Sequence, residues 1–255
     1  MSGERILVVH RDATVLADAV AARLITALVD AQVGGVTASV VLAGGTIGIA
    51  ALAALRASPA RAAVDWGNLD VWWGDERFVA ADSSDRNERQ AREALLDHVD
   101  LDPARVHPMG ALGGPHGNDA DAAAVRYAAE LAASAPGSAR VPPFDVFMLG
   151  MGTEGHTGSI FPESPAAHDQ RPVFGVHSCP KPPPTRVSLG FTAIQAAQRV
   201  WMVVAGEDKA PAVALAVSGA GRVQVPAAGA LGRRQTLWLL DEAAASHLPK
   251  GLRRS

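Results

Sequence analysis

His156 lies in the stretch GMGTEGHTGSIFP, directly after the most apolar run of the chain, FDVFML, and among Gly150, Gly152 and Gly155. An imidazole with an ordinary pKa of about 6.5 can take a proton from water and return it to a leaving oxygen at neutral pH. Glu154, two residues earlier, can accept the other ring N–H and so orient the ring. A lone histidine more often serves packing, yet a glycine-rich turn is a poor packing element.

Four other stretches carry complementary groups. AGGT, ending in Gly44, Gly45 and Thr46, joins a strand to a helix. Its glycines let the backbone approach an anion, and helix-start N–H groups favour phosphate; an empty tight turn is the bland alternative. The turn is neither a P-loop nor the spaced glycine pattern of a dinucleotide fold. WWGDERF delivers Asp75, Glu76 and Arg77 together at the end of a strand. They are either a surface salt-bridge cluster or a binding group, and an arginine can hold a phosphate or stabilise an oxyanion. PPPTRVS brings Arg186 behind a stiff proline run, as an anion ligand or as an exposed loop arginine. GEDKA sets Lys209 in the first turn of a helix, where a bound anion offsets its opposition to the dipole. Glu207 and Asp208 beside it offer a plainer reading.

Other chemistries find less support. Ser159 is not in a G-x-S-x-G elbow, Cys179 has no evident base, and an H-x-x-x-H metal spacing is missing. His107 and His116 read as loop residues. The residues therefore point to a small phosphorylated substrate and water or proton chemistry, with no metal.

Positioning these groups requires a layered fold. Short β-branched runs alternate with Ala/Leu-rich segments, predicting strands at 6–9, 39–42, 69–73, 144–149, 173–177, 200–205 and 236–240. Helices are expected at 12–29, from Ile47, near 87–99, at 119–134, near 191–197 and at 207–218, with Leu16, Val20, Leu24 and Leu28 in i+4 register on the first. Such alternation implies parallel strands in one α/β sheet flanked by helices, Rossmann-like, in a single domain over residues 1–255. Ligands of such sheets bind beyond the carboxyl ends of the strands, where AGGT, GDER and the His156 turn all fall.

Hydrophobic residues make up 48% and charged residues 19%, which excludes a disordered chain. A net charge of −3, with basic residues scattered apart from Arg253-Arg254, gives no footprint for nucleic acid or an anionic membrane. The single cysteine fits a reducing cytosol, and the interrupted apolar runs predict neither a signal peptide nor a membrane helix. A cytoplasmic location is expected.

The segments AGGT, WWGDERFV with DSSDRNERQAREALLDHV, HPMG, FDVFMLGMGTEGHTGSIFP, KPPPTRVSL, GEDKA and LWLLDEAA run in order along nearly the whole chain. Together they resemble the 6-phosphogluconolactonase family. The pairing of GMG-x-[DE]-GHT-x-S-x-FP with WW-x-DER is far more specific than either half. The resemblance implies a fold shared with glucosamine-6-phosphate deaminase, no metal or organic cofactor, and a functional link to glucose-6-phosphate dehydrogenase. It implies that His156 activates water on a sugar-phosphate lactone and protonates the leaving ring oxygen, with Glu154 orienting it. The same resemblance implies that Arg77 would stabilise the oxyanion, that Gly44, Gly45, Thr46, Arg186 and Lys209 would hold the 6-phosphate, and that Asn87 would support the sugar hydroxyls or its own loop. The family's phosphate turn usually starts SGG, where this chain has Ala43.

Three rivals differ at identifiable residues. A sister-family isomerase or deaminase needs Asp75 as its base, but resembles M-D-E-Y where this chain has GDERF. A non-catalytic sugar-phosphate sensor should lack the imidazole or carry a DNA-binding module. A dinucleotide-dependent dehydrogenase needs a G-x-G-x-x-G after an early strand.

Overall fold

The computed structural model describes residues 3–249 and Gly251; the Arg253-Arg254 pair lies outside the described residues. In chain order the elements are β1 (Glu4–His10), α1 (Ala13–Ala31), β2 (Ala38–Leu42), α2 (Gly45–Ala57), β3 (Leu69–Trp73), β4 (Asp75–Arg77), α3 (Asn87–Ala94), α4 (Ala120–Ser134), β5 (Val146–Leu149), β6 (Val173–Val176), β7 (Arg186–Leu189), α5 (Phe191–Ile194), β8 (Arg199–Val204), α6 (Ala210–Val217) and β9 (Gln235–Asp241).

Six strands form a parallel sheet in the order β1-β9-β8-β5-β2-β3. Both faces are covered, so the strands read as continuous apolar runs. Val41, Trp72, Phe147 and Met202 face a core closed by α4, α5 and α6, whereas Val40, Trp73, Met148 and Val203 face α1, α2 and α3. The i+4 stripe of α1 is buried as its spacing requires, and Asp12 caps that helix by accepting the Val15 N–H at 2.9 Å.

The mostly parallel α/β architecture is as expected; the single sheet is not. β4, β7 and β6 form a separate antiparallel sheet. The stretch 173–177, expected in the main sheet, is one of its strands, and DER and RVSL, expected as loops, are the other two. These strands are three or four residues long, and two begin or end on charged side chains, so alternation cannot reveal them. The helices near 87–99 and 191–197 are shorter than expected. α3 stops at Ala94 and α5 is a single turn.

After β2 the chain steps outward to β3, while after β5 it steps the other way to β8 and β9. The direction of winding therefore reverses between β2 and β5. A crevice must open there, beyond Leu42 and Leu149.

Candidate active site

That crevice is lined from the β2 side by Leu42 through Ile47, and from the β5 side by Leu149, Gly150, Met151 and His156. The β2–α2 turn has little choice of sequence. A Cβ at Gly44 would stand 2.0 Å from Asn87 Oδ1, so only glycine lets this backbone pass under Asn87. Gly44 caps α2 with no side-chain hydrogen bond, leaving the first amides of the helix at Gly45 and Thr46 open to the cleft. Such amides suit an anion. Lys209 joins them from beyond β8, its Nζ donating to the Ala205 carbonyl at 3.1 Å. It ends a 3-10 turn, Glu207–Lys209, immediately before α6.

The small sheet supplies the opposite wall. Arg77 and Arg186 are direct cross-strand partners of β4 and β7, and both line the cleft. Like charges directly opposite each other on a sheet repel, unless an anion lies between them. Arg186 is buried rather than an exposed loop arginine, because β7 draws it inside; its Nη1 is 3.8 Å from Asp75 Oδ2. Arg77 Nη1 donates to Asn87 Oδ1 at 2.6 Å and to the Asp85 carbonyl at 2.8 Å, while its Nε is buried without a partner.

Beneath these groups lies buried Glu76, which the sequence left as one of three clustered charges. Its carboxylate accepts the N–H groups of Arg77 at 2.8 Å, Asn87 at 2.7 Å and Glu88 at 2.8 Å. It thus caps α3 and fixes Arg77 and Asn87 at once. Burial pushes its pKa up, against the buried Arg86 guanidinium 3.8 Å away and the three amides. Asn87 then donates to the Asp75 carbonyl at 2.9 Å, and Ser159 donates its hydroxyl proton to Asp75 Oδ2 at 2.7 Å. Ser159 thus braces Asp75.

His156 is held by a closed turn: the Gly152 N–H donates to the His156 carbonyl at 3.0 Å. A Cβ at Gly152 would lie 2.0 Å from the imidazole, so the glycine is the seat of the ring. Phe161 stacks on it with centroids 4.3 Å apart. Glu154 lies behind the ring rather than in the cleft wall, with Oε1 3.1 Å from Nδ1, an ion-pair distance off the line of a hydrogen bond. Nδ1 is buried, so the exposed part of the ring is the edge that carries Nε2. Burial lowers the His156 pKa and outweighs Glu154, which raises it; Lys181 lowers it further. Glu154 is itself raised by burial, but hydrogen bonds from its own backbone amide and from Lys181, and the nearby imidazole, bring it down to about 2. His156 is therefore a neutral imidazole beside a permanent carboxylate. Its partner is Glu154; Asp75 is engaged elsewhere.

One residue expected as a bystander is not one. His107 stacks on Trp72 at 3.8 Å, with Nδ1 2.7 Å from Glu130 and Nε2 3.8 Å from Asp70. Its partners come from β3 and α4, so no local pattern around VHPM could disclose them. Among the described residues no three His, Cys, Asp or Glu side chains converge in a way that could hold a metal ion.

The cleft thus gathers nine of the ten residues that the sequence nominates, with Glu154 one layer behind. Residues 11–238 match the family model described as glucosamine-6-phosphate isomerases/6-phosphogluconolactonase. The chain belongs to this family. A 6-phosphogluconolactonase of Streptomyces coelicolor is 58% identical over 255 residues, 99% of this chain and 98% of the relative. One from Mycobacterium tuberculosis is 48% identical over 93% of this chain and 96% of its own. The solved 6-phosphogluconolactonase of Trypanosoma brucei superposes with a TM-score of 0.78 at 28% identity, covering 97% of this chain and all of that one. No helix among the described residues is long and apolar enough to cross a membrane.

Proposed function

We propose that this chain hydrolyses 6-phospho-D-glucono-1,5-lactone to 6-phosphogluconate in the oxidative pentose phosphate pathway, as a single cytoplasmic catalytic domain. Its substrate then comes from glucose-6-phosphate dehydrogenase. The carrying observation is the cleft itself: a neutral His156 and the paired Arg77 and Arg186 line one crevice at the switch point of the sheet.

In this reading the phosphate rests on the open amides of Gly45 and Thr46, with Arg186 and Lys209 closing on it. His156 Nε2 takes a proton from water as the water oxygen bonds to the lactone carbonyl carbon. The carbonyl electrons move to oxygen, where Arg77 stabilises the charge. Collapse of that intermediate breaks the ring C–O bond, and the imidazolium returns its proton to the departing ring oxygen. Glu154 favours the transient imidazolium and Asn87 keeps Arg77 in place.

The test is a coupled assay in which glucose 6-phosphate and its dehydrogenase generate the lactone. Loss of lactone above the spontaneous rate is the expected result. No acceleration, together with turnover of glucosamine 6-phosphate, would give the sister activity instead.

A further inference from the structure

Lys181 lies outside the cleft lining, in the proline-rich segment before β7, yet it reaches the catalytic pair. Its Nζ donates to Glu154 Oε2 at 3.0 Å, and the Thr153 hydroxyl donates to the same oxygen at 3.1 Å. Both donors on one oxygen leave Oε1 for His156 Nδ1, 3.1 Å away. The backbone that presents Lys181 is not free either. Arg186 donates through Nη2 to the Lys181 carbonyl at 3.1 Å and the Pro182 carbonyl at 3.2 Å, and through Nε to the Pro183 carbonyl at 3.2 Å. The Cys179 N–H donates to the Pro184 carbonyl at 2.8 Å, which closes the segment into a loop. With Lys181 43% and Glu154 34% exposed, the ion pair adds little to the stability of the fold.

We propose that Lys181 is a positioning residue of the reaction: it holds the Glu154 carboxylate off the line of a full hydrogen bond to His156 Nδ1, from a loop that Arg186 fastens to the cleft. This rests on the lactonase reading above. The charges that face His156 are Glu154 from its own turn, Lys181 from the loop and Asp75 from β4; Phe161 covers one ring face. Asp75 is tied to Ser159 and lies near Arg186, so Lys181 is the cation that acts on the imidazole through its immediate partner. Two effects share one sign. Removing the ammonium removes a charge that disfavours imidazolium, and it frees Glu154 to pair fully with Nδ1. Each makes His156 easier to protonate.

K181M and K181R are compared with wild type in two ways: the pH profile of kcat/KM, corrected for spontaneous hydrolysis, and NMR titration of the His156 imidazole. In K181M the acid limb moves to higher pH, so that kcat/KM falls about tenfold at pH 6 and by a smaller factor at pH 8, with KM unchanged. The imidazole midpoint moves in the same direction, and K181R retains the wild-type limb. An unmoved midpoint, or a loss carried wholly by KM, would overturn the assignment. The NMR titration reads the Lys181 effect without turnover, so a wild type inactive on the lactone would refute the functional reading separately.

Discussion

His107 and His156 each stack on an aromatic ring, and each has a glutamate oxygen beside Nδ1, at 2.7 Å and 3.1 Å. Burial lowers the pKa of both. At His107 two carboxylates, Asp70 and Glu130, overcome that burial and raise the pKa to about 9. At His156 one carboxylate is shared with Lys181, and burial wins. A neighbouring carboxylate does not by itself decide the charge of a histidine. The balance of charges and desolvation around it does, and here it yields a cation at neutral pH in the scaffold and a neutral imidazole in the cleft.

The sharpest way to break this contrast is to remove or displace each ring in turn. H156N should fold normally, retain 6-phosphogluconate binding in calorimetry, and lose about a hundredfold or more in kcat, the range of general-base removal. Turnover near wild type would remove His156 from the mechanism. G152A acts on the same ring without touching its chemistry: the new Cβ falls on the imidazole, and displacing the base should cost about tenfold or more in kcat. A variant with wild-type kcat would show that the turn has slack the structure denies it.

H107Q should do the opposite, costing stability of about 2 kcal/mol in urea melts while kcat stays within about threefold. Its pH dependence follows from the raised pKa. Below about pH 6.5 folded and unfolded chains are both protonated, and the contribution of His107 is whole; it fades as pH rises toward 9, where the folded protein also releases the proton. The stability gap between wild type and H107Q should therefore narrow between pH 6.5 and pH 9. A gap constant over that window would mean His107 contributes by packing alone. The smallest effect is on the wild-type rate profile, whose acid limb should fall below pH 6.5, the ordinary midpoint of the group, because His156 is lowered from it. A limb above that value would place the contrast in doubt.

The contrast also marks how far the sequence could be read. The core strands and the first helix were legible from local pattern: Leu69–Trp73 is an apolar run buried on both faces apart from Asp70, and Asp12 caps a clean i+4 stripe. The His156 turn and AGGT were legible because glycine, charge and strand end coincide over a few residues. Arg186 was not legible as buried, because its environment is set by pairing with β4, more than a hundred residues earlier. Glu76 offered only a charge in a charged run; its three backbone partners appear once the loop back to α3 has closed. His107 drew its partners from β3 and α4, and Lys181 met Glu154 from a loop 27 residues later in the chain. What local spacing encodes was readable, and what tertiary pairing creates was not.

The most direct measurement is an NMR pH titration of both imidazoles in one wild-type sample, assigned with H107Q and H156N. The account predicts that His156 titrates below 6.5 and His107 near 9. Two midpoints together near the ordinary histidine value, or in the reverse order, would contradict it.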